Sequence, residues 1–121
     1  LEQGMEDALT RAFAYVEAGA DGIMIHSRKK DPGEILEFCD RFRESDKLTP
    51  IVVVPTSFNA ITEEELAAHG VNIVIYANQL TRSAFPAMQK TAEDILRCHR
   101  AKEVDDRLMP IKEIITLIDE L

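Results

Sequence analysis

Basic residues are scarce in this chain. Lys and Arg number 14 against 22 Asp and Glu, giving a formal net charge of -8 at pH 7 and a pI near 4.8 over 121 residues. A nucleic-acid surface neutralises phosphates with clustered Lys and Arg. The one cluster is Arg28-Lys29-Lys30, which reads as the solvated rim of a loop, so a nucleic-acid partner is not expected. Cysteine is equally sparse. Cys39 and Cys98 lie far apart in helical sequence with no CxxC spacing, and with no signal-peptide pattern this fits a reducing cytoplasm. No apolar run approaches the length of a membrane span, so no membrane partner is expected. No methionine stands before Leu1, and the chain reads as a piece of something longer. What remains is ordinary globular usage, 45% hydrophobic and 30% charged, enough for one small soluble domain with a core.

The hydrophobic pattern alternates between two periods. Met5, Ala8, Leu9, Ala12, Phe13 and Val16 recur at spacings of three and four, the stripe of a helix over 5–18 that packs one face on a sheet. Gly19 stops it. Residues 22–26 form a short apolar run bounded by turn residues and predict a buried strand. Asp31-Pro32-Gly33 then opens a helix over 34–43. Pro50 starts a second strand through Val52-Val53-Val54. Thr62-Glu63-Glu64-Glu65 has the form of a capping box leading to Gly70, and 71–76 predicts a third strand. A long helical stretch follows over 79–100, with Leu80, Ala84, Met88, Ile95 and Leu96 apolar and Pro86 marking a kink or restart. Residues 102–107 read as a charged connector. Pro110 to Ile118 predicts a last short helix whose Ile111, Ile114 and Ile118 need a partner surface.

Helices alternating with all-apolar strands imply a parallel sheet covered on its faces, either doubly wound or part of a (β/α)8 barrel. Three strands cannot close a barrel, which takes about 250 residues, and a half barrel would expose two sheet edges and the inner faces of its strands unless other chains cover them. The three strands end on His26-Ser27, Pro55-Thr56 and Ala77-Asn78, and in a parallel fold those ends share one face. For His26 the residues alone leave two readings open. An imidazole near neutral pH can donate to a phosphoryl oxygen, or it can be a structural histidine bonded to a backbone carbonyl.

The strings Gly19-Ala20-Asp21-Gly22-Ile23-Met24-Ile25-His26-Ser27-Arg28, Asp31-Pro32, Val52-Val53-Val54-Pro55-Thr56, Val74-Ile75-Tyr76-Ala77-Asn78 and Pro110-Ile111-Lys112-Glu113-Ile114 together resemble the phosphoenolpyruvate mutase family of the isocitrate lyase superfamily. The resemblance runs in order through nearly the whole chain. It implies the C-terminal part of a (β/α)8 TIM-type barrel, with residues 1–121 a partial barrel domain and 101–121 a connector and terminal helix. It also implies that helix 79–100 is exchanged between subunits of a homo-oligomer. The implied reaction interconverts phosphoenolpyruvate and phosphonopyruvate with Mg2+ as cofactor, making a carbon–phosphorus bond as in phosphonate biosynthesis. The family's histidine that contacts phosphoryl oxygens falls on His26, the implied catalytic and substrate-binding residue, with Ser27 as a second substrate contact.

The family's magnesium carboxylates, phosphate-gripping arginine and gating loop belong upstream of Leu1, so no metal ligand is expected here and the chain alone is expected to be inactive. Phosphonopyruvate hydrolase shares most of these strings and is the alternative, as is another lyase of the superfamily. Tyr76-Ala77-Asn78-Gln79-Leu80 sides with the mutase wording. A noncatalytic oligomerisation module is the rival of another class. A receiver-type doubly wound domain is disfavoured, since it needs an acidic pocket after the first strand.

The remaining candidates are weaker. Thr56 and Asn78 can line a cavity but are also ordinary turn formers. Glu63, Glu64 and Glu65 sit at a helix start, where the backbone dipole favours acids. Asp21 stands at the wrong end of its strand for a barrel site. His69 reads as an exposed helix-end residue and His99 as a surface residue.

Overall fold

The computed structural model describes residues 1–117, which divide into two compact units, one spanning Leu1–Asn78 and the other beginning at Gln79. The first unit alternates helix and strand: α1 (Met5–Glu17), β1 (Ile23–Ile25), α2 (Gly33–Ser45), β2 (Ile51–Val53), α3 (Glu63–Ala68) and β3 (Ile73–Val74). The strands form one parallel sheet in the order β1-β2-β3, with Ile23 beside Ile51 and Val53 beside Val74. All three therefore end on the same edge, as expected.

The helix ends follow the local chemistry. Gly19 (φ +98°) and Gly70 (φ +85°) adopt the left-handed conformation that glycine enters at low cost. Each closes a Schellman motif. Gly19 and Ala20 donate backwards to Val16 and Tyr15, and Gly70 and Val71 to Ala67 and Leu66. The expected capping box is present: Glu65 N–H donates to Thr62 Oγ1 at 3.2 Å, and Thr62 N–H donates to Glu65 Oε2 at 2.8 Å.

The core lies on one face of the sheet. Ile23, Ile25, Ile51 and Val53 point into it and meet Leu9, Ala12, Ile35, Phe38, Phe42, Phe58 and Leu66 from the helices and a loop. Phe38 stacks on Phe42 with ring centroids 5.9 Å apart, and Phe13 on Phe42 at 5.0 Å. Among the described residues the sheet is covered on one face only, as a half barrel implies and a doubly wound sheet does not. Met24 is 59% exposed and Ile73 48%, because the helices pack on one face and no described residue covers Met24 and Ile73 on the other. An all-apolar run cannot show which of its two faces is covered, since residues alternate across a strand. β3 is also shorter than the six residues expected.

Arg43 pins the opposite end of the unit. Its guanidinium donates to the carbonyls of Gly70 (2.7 Å), Thr49 (2.8 Å) and Asp46 (3.1 Å) and to Asn72 Oδ1 (2.7 Å). Asn72 Oδ1 also accepts from Ile51 N–H at 2.9 Å. One planar fork thus ties the end of α2 to the turns that enter β2 and β3.

The second unit holds α4 (Gln79–Cys98), a 3₁₀ helix (Lys102–Arg107) and α5 (Ile111–Ile114). α4 passes through Pro86 as one helix, so the expected restart does not occur. The supposed connector 102–107 is helical and closes on α4 through Asp94. This carboxylate accepts from Lys90 (3.1 Å), Arg97 (2.5 Å) and Arg107 (2.7 Å), and the Arg107 and Lys90 bonds hold its pKa below the ordinary range. α5 is shorter than expected, and Ile118 lies outside the described residues. Leu80, Phe85, Met88, Leu96, Ile111 and Ile115 are exposed.

Candidate functional site

The site grows from the carboxyl end of β1. Burial alternates along the strand, Ile23 and Ile25 inward and Met24 outward, and this parity carries His26 to the exposed side. The imidazole makes no hydrogen bond to any described residue and faces a groove of about 860 Å³. Arg11, Ser27, Arg28, Lys29 and Glu34 line the same groove. Among the described residues no backbone carbonyl accepts from the His26 imidazole. Of the two expected site residues, Ser27 is placed differently from His26. It is 3% exposed, its Oγ donates to Glu34 Oε1, and it accepts Lys29 N–H at 3.1 Å.

Glu34 was not legible as a site residue. It begins the first turn of α2, where the helix dipole favours a carboxylate. Its second oxygen pairs with Lys29 Nζ at 2.5 Å. The bonds from Lys29 and then Ser27 hold its pKa below the ordinary carboxylate range, while Glu34 raises that of Lys29. Lys29 remains exposed, as expected of a solvated rim, while its ammonium pairs with Glu34. Arg28 pairs with Glu2 at 2.9 Å across an exposed surface. The charges of the groove balance: Arg11, Arg28 and Lys29 stand against Glu2, Glu34 and Glu37, with Arg28 paired to Glu2 and Lys29 to Glu34, and the His26 imidazole has no partner among the described residues. This arrangement can receive a small anion at a strand end.

The other candidates separate from it. Thr56 does not line the groove, and neither does Asn78. Glu65 is spent on its capping box and Glu63 accepts from Tyr76 Oη at 2.8 Å, a bond that raises the Tyr76 pKa. His69 is half-buried rather than free at its helix end, with Nδ1 2.7 Å from Asp40 Oδ1. His99 is exposed as expected, with a left-handed φ of +53°. Cys39 is fully buried and its thiol is pushed up to about 12 by desolvation, which makes it unreactive.

Comparison with known proteins fixes the family. The description "Phosphoenolpyruvate phosphomutase" matches residues 1–96. The chain belongs to the phosphoenolpyruvate phosphomutase family. It is 43% identical over 115 residues to the phosphoenolpyruvate phosphomutase of Streptomyces viridochromogenes, covering 95% of this chain and 36% of that protein. It is 44% identical over 115 residues to the phosphonopyruvate hydrolase of a Variovorax species, covering 94% of this chain and 39% of the hydrolase. A crystal structure of phosphonopyruvate hydrolase in complex with oxalate and Mg2+ superposes with a TM-score of 0.83 at 43% identity, covering 93% of this chain and 39% of that one. The chain thus spans little more than a third of these relatives, and its fold is part of a phosphomutase-type TIM barrel.

Mg2+ takes oxygen ligands and is usually anchored by one or two carboxylates. The groove offers an imidazole, a buried hydroxyl and, in Glu34, a carboxylate bonded through both oxygens. Among the described residues no three His, Cys, Asp or Glu side chains come together as a metal set. The donors of this chain do not fit the ion. No helix among the described residues is long and apolar enough to cross a membrane.

Proposed function

We propose that this chain is the C-terminal part of the barrel of a phosphoenolpyruvate mutase, with residues 1–121 a partial barrel domain. The intact protein interconverts phosphonopyruvate and phosphoenolpyruvate. The bond from phosphorus to C3 of pyruvate breaks, a bond from phosphorus to the enol oxygen forms, and no water is consumed. His26 is the catalytic and substrate-binding residue supplied by this chain, and its imidazole donates to a phosphoryl oxygen. Ser27 is the second proposed substrate contact, one that its hydroxyl can make only on releasing Glu34. The observation that carries this reading is His26 itself, an exposed imidazole with no partner among the described residues, held at the carboxyl end of a parallel strand and lining a groove. Barrel enzymes build their sites on that edge. Phosphoryl transfer through a loose transition state is catalysed by positioning and by donors aimed at the spreading charge.

Magnesium belongs to the proposal as the cofactor of the intact protein, on the strength of the hydrolase complex with oxalate and Mg2+. Its ligands then come from residues other than these, and the chain by itself turns over nothing. The intact protein is further proposed to work in the cytoplasm as a homo-oligomer that exchanges α4, whose Leu80, Met88 and Leu96 are exposed apolar residues. A second reading, phosphonopyruvate hydrolase, is favoured by 44% identity to that relative against 43% to the mutase; there water accepts the phosphoryl group in place of the enolate oxygen.

Phosphorus NMR of phosphonopyruvate with magnesium separates these readings, run on this chain and on the intact protein. Conversion to phosphoenolpyruvate in the intact protein alone is the expected result. Release of inorganic phosphate would replace mutase with hydrolase, and silence from both would leave a noncatalytic assembly module.

A further inference from the structure

The segment between β1 and α2 is closed by side chains. Ser27 Oγ accepts Lys29 N–H and donates to Glu34 Oε1, Lys29 Nζ meets Glu34 Oε2 at 2.5 Å, and Asp31 Oδ1 accepts Gly33 N–H at 2.8 Å. One carboxylate at the start of α2 therefore uses both oxygens on residues one and three positions beyond His26. A serine hydroxyl has a single hydrogen to give. Ser27 gives it to Glu34, and while that bond stands its Oγ has no proton for an anionic ligand. His26 has no side-chain partner of its own, so its direction depends on how firmly the backbone of its neighbour is held.

We propose that Glu34 is a positioning residue of the phosphoryl subsite: by gripping Ser27 and Lys29 it fixes the end of β1 so that His26 presents its imidazole to the groove. The assignment rests on the functional reading above. Glu34 does not touch the substrate, since a carboxylate facing a phosphoryl group would repel it, and here Lys29 neutralises that charge. Its depressed pKa keeps it ionised at neutral pH, so the grip persists where the protein works. The electrostatic logic also explains why a glutamate is tolerated beside an anion site. Its negative charge is turned toward Lys29 and the helix start.

The test compares the intact protein with its Glu34→Ala and Glu34→Gln variants. Glutamine keeps a carbonyl oxygen for the Ser27 hydroxyl and gives up the bond to Lys29, since its NH2 group is itself a donor. Three quantities are read: kcat and KM for phosphonopyruvate, hydrogen–deuterium exchange of residues 26–31, and Tm. A misplaced catalytic group costs up to about 100-fold in rate. On that scale Glu34→Ala should lower kcat roughly 10- to 100-fold with KM within about threefold, while Glu34→Gln recovers most of the loss. Exchange over 26–31 should rise in the alanine variant and stay near wild type in the glutamine variant. Equal losses in the two variants, or a kcat within about twofold of wild type for alanine, would overturn the assignment. Should the wild-type protein convert no phosphonopyruvate, the functional reading fails on its own. Exchange then decides the positioning role, and an unchanged 26–31 segment in Glu34→Ala overturns it.

Discussion

The two units of this chain bury different kinds of residue. In Leu1–Asn78 three phenylalanines, four isoleucines or valines from the strands and a fully buried cysteine meet in one apolar cluster. In the described part of the second unit the buried residues are Val104 and Asp94, and α4 and α5 carry leucines, isoleucines, a phenylalanine and methionines on exposed surface. The first unit is organised by hydrophobic burial and has polar devices only at its ends: the capping box, the Arg43 fork, and the Ser27–Glu34–Lys29 grip. The second is organised around one carboxylate and three cations, with its apolar residues left over. Hydrophobic burial is what offsets chain entropy. A unit that leaves its apolar residues exposed depends on a surface outside itself for most of its stability.

Substitutions can break or sharpen this contrast. The largest effect is expected from Phe42→Ala, which removes the ring that both Phe13 and Phe38 stack on. It should destabilise the intact protein by about 3–5 kcal/mol in denaturant titration, the range for truncating a buried aromatic. A loss under about 1 kcal/mol would mean that the first unit is not held by this cluster.

Gly70→Ala should cost about 2 kcal/mol, from a left-handed backbone and a displaced Arg43. An added Cβ would stand 2.7 Å from Nε and 2.8 Å from Cγ of Arg43. Those atoms cannot retreat without giving up bonds to Gly70, Thr49 and Asn72. Thermal unfolding reads the difference.

A smaller, pH-dependent effect belongs to the second unit. Asp94 has a pKa lowered in the fold by Arg107 and Lys90. Its stabilisation is therefore complete above the unfolded value near about 3.9 and is lost as pH falls through the lower folded value. Hydrogen exchange over 79–107 should accelerate below about pH 4 in the wild type. In Asp94→Asn the same segment should exchange faster at neutral pH and lose its acid dependence.

The smallest effect on local stability is expected at Leu80, which is 84% exposed. Leu80→Asp should change unfolding free energy by no more than about 0.5 kcal/mol if the leucine touches nothing. Should α4 be exchanged between subunits, the same variant shifts the protein to a smaller species in sedimentation, and native size would remove that role.

Much of the first unit was legible because its signals are local. Gly19 and Gly70 stop helices through their own backbone freedom, Thr62 and Glu65 cap one another three positions apart, and parallel order follows from helices inserted between apolar runs. That a half barrel leaves one face of its sheet open was legible, but which residues stand on that face was not. Met24 sits in the same apolar run as Ile23 and Ile25, and which face the helices cover is decided by packing. The site shows the same division. His26 announced itself as an ionisable residue closing a buried strand. Glu34 looked like any acid in the first turn of a helix, and only the path of the intervening loop brings it onto Ser27 seven positions back. Arg107 and Asp94, thirteen positions apart, are joined for the same reason, and the sequence displayed them as an unremarkable charged connector and an amphipathic helix.

The central claim is that His26 presents a donor to the transferring phosphoryl group. Steady-state turnover of phosphonopyruvate by His26→Ala in the intact protein tests it most directly, with Tm measured alongside. Loss of one transition-state donor is worth about 100- to 1,000-fold in kcat. The account predicts a fall of that order with Tm within about 2 °C, since the imidazole bonds to no described residue. Wild-type turnover from the alanine variant would contradict it.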